Sequence, residues 1–449
     1  MTSEERIAKA LEIASDTKTF EMGNGIIDRV PEVFKKHFPT RRPIIVADPN
    51  TWEVAGSDVA KMFESQSMEY ETFIIEEREF HAEWKYVEMV EAALKKSGCV
   101  AVSVGSGVIN DLCKLSSSHL GQSYVSVATA ASVDGYSSFG ASITFEGLKQ
   151  TFDCPAPIAI VADIDIIANA PKKMTAAGYA DLAAKIPCGA EWMMADLAGT
   201  EPIQPAAWHV LQDVLDEMLS DPEGVAAGDP KAIGLLFEGL TLSGIAMQAA
   251  RSSRPASCTD HLFSHYLDMT HHTFNGKLQS HGFQVAIGTL TMCAFFDELL
   301  KMDLSDLDVD ACVAEWPTLE QEQARARAIF KDFVDPELGC RSITQKYNTA
   351  DEVRGQLTRF RDNWPTLIKQ YRAQVYPFEK MQRLFAIVGA PTDPSDIGLS
   401  REKLKAMVPF TQMMRWRFNL LDFAKRARIY DTLVEKVFGR GGAWECNMN

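Results

Sequence analysis

Four apolar, β-branched runs punctuate the first third of the chain: PIIVAD (Pro43 to Asp48), YETFII (Tyr70 to Ile75), CVAVSVG (Cys99 to Gly105) and SYVSVAT (Ser123 to Thr129). Runs of this length and composition predict strands. Between the second and third, Trp84, Val87, Val90 and Leu94 recur at three- and four-residue steps, with Glu83, Lys85, Glu88 and Lys95 among them. That spacing predicts an amphipathic helix covering one sheet face, ended by Gly98. Strand alternating with helix predicts a mostly parallel sheet.

After about Asp163 the pattern changes to long Ala/Leu/Met-rich segments, such as Ala176 to Asp196, Ala232 to Ser252 and Phe283 to Leu300. These predict helices, so the second part reads as all-helical. The boundary falls near Asp163 to Pro171, where an apolar strand runs into a helix-entry turn. The expected organisation is an α/β domain over residues 1–165 and a helical domain over 166–449. Glu201 to Pro205 and Ser220 to Pro230 read as connections between helices.

At 449 residues, with 46% hydrophobic and 24% charged side chains, the composition is that of an ordinary globular chain. A formal charge of −16 argues against a broad nucleic-acid or anionic-membrane surface. The nine cysteines are scattered, with no C-x-x-C pair, and read as reduced thiols. No signal-like N-terminal run or spanning apolar stretch is evident, which places the expected location in the cytoplasm.

Three constellations can carry chemistry. VGSGVINDLCK (Val104 to Lys114) runs from a strand through Gly105-Ser106-Gly107 into a helix, where small residues let backbone amides approach a phosphate. The same pattern also serves as a plain strand-to-helix turn. ATAASVDGYSS (Ala128 to Ser138) follows the next strand, at the kind of loop where open sheets bind ligands, although Asp-Gly is common turn punctuation. The third is distributed: Asp181, His261 and His281 lie on or beside helices of the second part. Two imidazoles and a carboxylate suit a catalytic divalent metal with an open position. His261, His265, His271, His272 and His281 also cluster within 21 residues, and His261 and His265 share a helix face, a spacing that serves joint ligands and, more often, a partly buried or surface pair.

Taken together and in order, GSGVINDLCK, TAASVDGYSS, AGYADLAAK, SSRPASCTDHLFSHYLD and the pair His281-Gly282 resemble the sn-glycerol-1-phosphate dehydrogenases. These are a branch of the iron-containing alcohol dehydrogenase and dehydroquinate synthase-like superfamily. The motifs span Val104 to Thr289, the strand pattern extends the likeness back to about Phe20, and beyond about Leu300 only the helical texture remains. Phe283 stands where several members carry a polar residue, which implies an intact ligand set and a reshaped pocket.

The resemblance implies a Rossmann-like first domain binding NAD(H) or NADP(H), a helical domain holding one divalent ion (zinc, nickel, iron or manganese), and dihydroxyacetone phosphate in a cleft between them. It assigns the metal to Asp181, His261 and His281, and the pyrophosphate turn to Gly105, Ser106, Gly107 and Asp111. Thr129, Ser132 and Asp134 fall near the nicotinamide end. Asp48 closes its strand where an acid meets the adenine ribose, which favours NADH by repelling a 2′-phosphate. His265 and Asp134 are the candidate proton donors, beside a metal-bound water. Lys185, Ser253 and Arg254, together with Asp134 and His265, are the candidate substrate contacts. The implied enzyme is a homo-oligomer serving phospholipid metabolism. Its rivals are a glycerol or other polyol dehydrogenase and a dehydroquinate synthase-like cyclase. Asp181, where such cyclases usually offer Glu, favours the dehydrogenases.

Overall fold

A computed structural model describes residues 1–446. Eight strands lie in the first part of the chain: β1 (Thr19–Gly23), β2 (Pro43–Ala47), β3 (Glu71–Ile74), β4 (Val100–Gly105), β5 (Val125–Ala128), β6 (Ala141–Phe145), β7 (Leu148–Phe152) and β8 (Ala159–Asp163). Six of them form one parallel sheet in the order β1-β8-β5-β4-β2-β3. Ile45 lies beside Val102, and Val102 beside Val125, in the central register.

Both faces of this sheet are covered. Val100, Val102 and Val104 meet Val33, Phe34, Val59 and Phe63 on one side, while Ala101 meets Val90, Leu94 and Leu112 on the other. Burial on two faces explains why these strands read as continuous apolar runs rather than alternating ones. The expected helix runs Trp84–Ser97 and ends at Gly98, whose φ of 65° is the left-handed conformation glycine adopts most easily.

Two features differ from the strand reading. β1 forms a sheet edge that the four apolar runs did not include. β6 and β7 form a separate antiparallel hairpin, turned by Glu146 and Gly147 with φ of 51° and 79°. Positive φ at both central residues is what a tight hairpin turn requires.

After β8 the described chain is helical apart from a two-residue hairpin, Thr273–Phe274 with Lys277–Leu278. The expected helices appear as Lys172–Ala183, Lys185–Ala198, Pro230–Ala250 and His281–Leu299. The Ser220 to Pro230 connection contains a short helix of its own, Pro222–Ala227.

The chain divides into two compact units, but not by one cut at 165/166. Among the described residues the first comprises 1–182, 205–256 and 387–389; the second comprises 183–204, 257–386 and 390–446. Residues 205–256 join the first unit because the Pro230–Ala250 helix packs on the Ser3–Ile13 helix and on the Asp134–Tyr136 turn. Arg6 anchors that packing through a buried 2.6 Å ion pair with Glu238. The Pro230–Ala250 helix is long and apolar enough to cross a membrane, yet 89% of its most apolar stretch is buried within the protein. Among the described residues no disulfide joins any of the nine cysteines.

Candidate metal and nucleotide site

In the first unit, β4 delivers Gly105 to the start of the Gly107–His119 helix. A Cβ on Gly105 would stand 2.7 Å from the Ile109 side chain, and one on Gly107 would stand 3.0 Å from Val133. Ser106 occupies the N-cap in extended backbone but makes no side-chain cap bond, so it leaves the amides of the first turn to another acceptor. Thr129 follows β5, is buried, and donates its amide to the Gly105 carbonyl at 3.2 Å. Ser132 is partly buried in the same loop.

Two cofactor candidates carry other duties. Asp48 caps the turn after β2, with Oδ1 accepting from the amides of Asn50 (2.8 Å) and Thr51 (3.0 Å). Asp111 faces the β6–β7 hairpin: Oδ2 accepts from the Ser142 amide at 3.2 Å, and Lys114 Nζ stands 3.6 Å from Oδ1. Its carboxylate is therefore engaged with the hairpin. Burial pushes the Asp111 carboxyl up, and Lys114 opposes this.

Lys114, which motif reading passed over as the end of GSGVINDLCK, is buried and donates to the carbonyls of Gly135 (2.8 Å), Ser138 (2.9 Å) and Gly140 (3.0 Å). It thereby ties the glycine-turn helix to the loop after β5. That loop carries Asp134, whose amide donates to Asp181 Oδ2 at 3.0 Å and whose own Oδ2 accepts from Ser243 Oγ at 2.9 Å. The contact is close because Gly178 has no side chain: a Cβ there would fall 2.0 Å from the Ala131 carbonyl oxygen.

In the second unit, Thr259–Met269 presents His261 and His281–Leu299 begins with His281; their rings lie 5.2 Å apart. Gly288 permits this approach, since a Cβ would stand 2.1 Å from the Asp260 carbonyl oxygen. His261 Nδ1 lies 2.8 Å from Asp260 Oδ2; a carboxylate only accepts, so Nδ1 carries the proton. Ser264 Oγ donates to Gln284 Oε1 at 2.7 Å, so its contact with His281 Nδ1 at 3.1 Å has the imidazole donating. Both rings are thus held with Nε2 as the lone-pair donor, the arrangement by which outer hydrogen bonds orient metal-ligating histidines.

Asp181 stands on the last turn of the Lys172–Ala183 helix. The ligand atoms of Asp181, His261 and His281 lie within 4.8 Å of one another. Two imidazole nitrogens and a carboxylate oxygen at this separation fit one divalent transition metal.

Lys185 and Arg254 are buried, Ser253 is partly buried, and Ser253 and Arg254 sit in the bend after Pro230–Ala250. His265 Nε2 accepts from Arg415 Nη2 at 3.0 Å, so that nitrogen carries no proton to donate. Phe283 is partly buried, and its amide donates to the Ser280 cap.

The profile of the iron-containing alcohol dehydrogenases matches residues 21–171. A curated glycerol-1-phosphate dehydrogenase [NAD(P)+] from Halalkalibacterium halodurans is 32% identical over 300 residues, covering 65% of this chain and 75% of that protein. Its namesake from Pyrococcus horikoshii is 35% identical over 272 residues, covering 60% and 76%. The chain belongs to the glycerol-1-phosphate dehydrogenase family. Solved structures share the fold over nearly the whole chain. Glycerol dehydrogenase from Schizosaccharomyces pombe superposes with a TM-score of 0.58 at 16% identity, covering 94% of this chain and 91% of that one. Sulfoacetaldehyde reductase from Bifidobacterium kashiwanohense, solved with NAD+, gives 0.56 at 15% identity, covering 93% and 96%.

Beyond the glycine turn and the three candidate metal donors, sequence reasoning passed over Lys114, Asp260, Ser264, Gln284 and Arg415. Asp260 was accessible as the residue preceding His261. Arg415, 150 residues from its partner, had no signal in the chain.

Proposed function

We propose that this protein is a metal-dependent NAD(P)H oxidoreductase interconverting dihydroxyacetone phosphate and sn-glycerol 1-phosphate. The observation that carries the reading is the convergence of Asp181, His261 and His281 with both histidine Nδ1 atoms already engaged. The relatives' shared name supplies the substrate class.

A divalent ion held by Asp181, His261 and His281 would supply Lewis-acid polarisation of a carbonyl, and a nicotinamide cofactor at the glycine turn would supply hydride chemistry. The protein's own residues prepare both. Asp260 and Ser264 fix the histidine rings, and the Asp134 amide fixes one oxygen of Asp181. Gly105 and Gly107 keep side chains clear of the first turn of Gly107–His119, whose amides and dipole favour a pyrophosphate. Asp48 keeps its carboxylate beside the end of β2, and a charge there disfavours a 2′-phosphate and so favours NADH. The donor set accepts zinc, nickel, iron or manganese.

Turnover of dihydroxyacetone phosphate against dihydroxyacetone, with NADH and with NADPH, tests the reading. Preference for the phosphorylated ketone is expected; equal or faster turnover of dihydroxyacetone rejects it.

A further inference from the structure

Arg415 lies in the bend between the Arg401–Met413 and Leu420–Arg426 helices and is partly buried. One of its N–H groups donates to His265 Nε2 at 3.0 Å, and no carboxylate pairs with it among the described residues. The charged side chain that acts on it is another cation, Arg417, which is itself held by the Ser257 carbonyl (3.1 Å) and by Glu201 (3.8 Å). Burial above all, then Arg417, brings the Arg415 guanidinium down to about 10, with Cys258 opposing, so it remains charged at neutral pH.

A guanidinium offers five donors in a planar fork. One is used here, on a neutral imidazole that returns no charge. Holding an unneutralised cation out of water is unfavourable, and an oxyanion meeting the open side of the fork relieves it. The position also matters: His265 sits one helical turn after the metal donor His261 on the same face of Thr259–Met269. The guanidinium is therefore fixed to the helix that presents a metal ligand.

We propose that Arg415, oriented by His265, is the specificity residue that receives the phosphomonoester of the substrate. Its fork takes two phosphate oxygens, and His265 serves as an acceptor that sets the plane of the fork. This rests on the reading under Proposed function and adds a residue far outside the motifs that carry the family resemblance.

The test compares kcat/KM for dihydroxyacetone phosphate and for dihydroxyacetone in metal-loaded wild type, Arg415→Leu and Arg415→Lys, with metal content and thermal melting measured on each. Arg415→Leu should lower kcat/KM for the phosphorylated ketone on the order of 100-fold, chiefly through KM. Turnover of dihydroxyacetone and metal content should be unchanged. Arg415→Lys keeps the charge without the fork and should fall between. Inorganic phosphate should compete with the substrate in wild type and lose at least about 10-fold in potency in Arg415→Leu. If wild type prefers the phosphorylated ketone and both variants keep that preference, or lose both substrates equally, the assignment of Arg415 is overturned and the function stands. If wild type shows no preference, the function itself fails. Should Arg415→Leu not fold, Arg415→Lys and its phosphate inhibition decide alone.

Discussion

The backbone amide of Asp134 donates to Oδ2 of Asp181 across 3.0 Å, joining the loop after β5 to the carboxylate proposed as a metal donor. Ser243 Oγ holds the Asp134 carboxylate from the other side, at 2.9 Å. On the proposed ligand assignment, the loop would act on the metal through the orientation of one carboxylate. Ser243→Ala should weaken metal affinity on the order of 10-fold, and Asp181→Asn should abolish stoichiometric binding. Competition against a chromogenic chelator measures both; unchanged affinity in Ser243→Ala would separate the loop from the metal.

Asp260 accepts from His261 Nδ1 at 2.8 Å and from the Cys258 amide at 3.2 Å. Asp260→Asn preserves shape but removes the charge that makes the ring basic and fixes its tautomer. Metal affinity should fall about 10- to 100-fold with circular dichroism unchanged. Retention of full affinity would show that His261 is oriented by packing alone.

Lys114 places its ammonium against three carbonyl oxygens in a buried setting. Replacing it by Met leaves the shape roughly filled and all three acceptors without that donor. Urea unfolding should register a loss of about 3 kcal/mol or more. A loss within experimental error would mean that the 135–140 loop holds its conformation without the lysine.

Much of this arrangement was written plainly in the chain. Two-face burial made β2, β4 and β5 visible as apolar runs, and the steps from Trp84 to Leu94 gave the Trp84–Ser97 helix with its Gly98 stop. Asp181, His261 and His281, whose ligand atoms lie within 4.8 Å of one another, stood out as candidate donors because histidines are few and because their flanking motifs resembled a family's. The β6–β7 hairpin escaped because ASITF and LKQTF are short and partly polar, although Glu146-Gly147 marked the turn. The return of residues 205–256 to the first unit depends on the Pro230–Ala250 helix docking against Ser3–Ile13, a contact between segments over 200 residues apart that no local pattern encodes. The contacts of Asp111 were hidden for a similar reason. Its position one turn into the helix suited a phosphate turn, while its partner, the Ser142 amide, lies on a hairpin that had not been recognised.

The second unit carries a buried polar cluster whose titration gives a stability signature. Burial, and then Arg325, lowers Lys425 from its ordinary 10.5 to about 8, against the opposing pull of Glu322 at 2.7 Å. A lysine depressed on folding binds fewer protons in the native than in the unfolded chain between about 8 and 10.5, so its unfavourable contribution is full below that window and vanishes above it. The unfolding free energy of wild type, taken relative to Lys425→Met, should therefore rise with pH across the window. A flat difference would mean that Lys425 keeps its ordinary affinity for protons.

The most direct measurement is chiral analysis of the glycerol phosphate that metal-loaded protein makes from dihydroxyacetone phosphate and NADH, with Asp181→Asn run alongside. The account predicts sn-glycerol 1-phosphate from wild type and no product from the variant. Formation of sn-glycerol 3-phosphate, or undiminished product from Asp181→Asn, would contradict it.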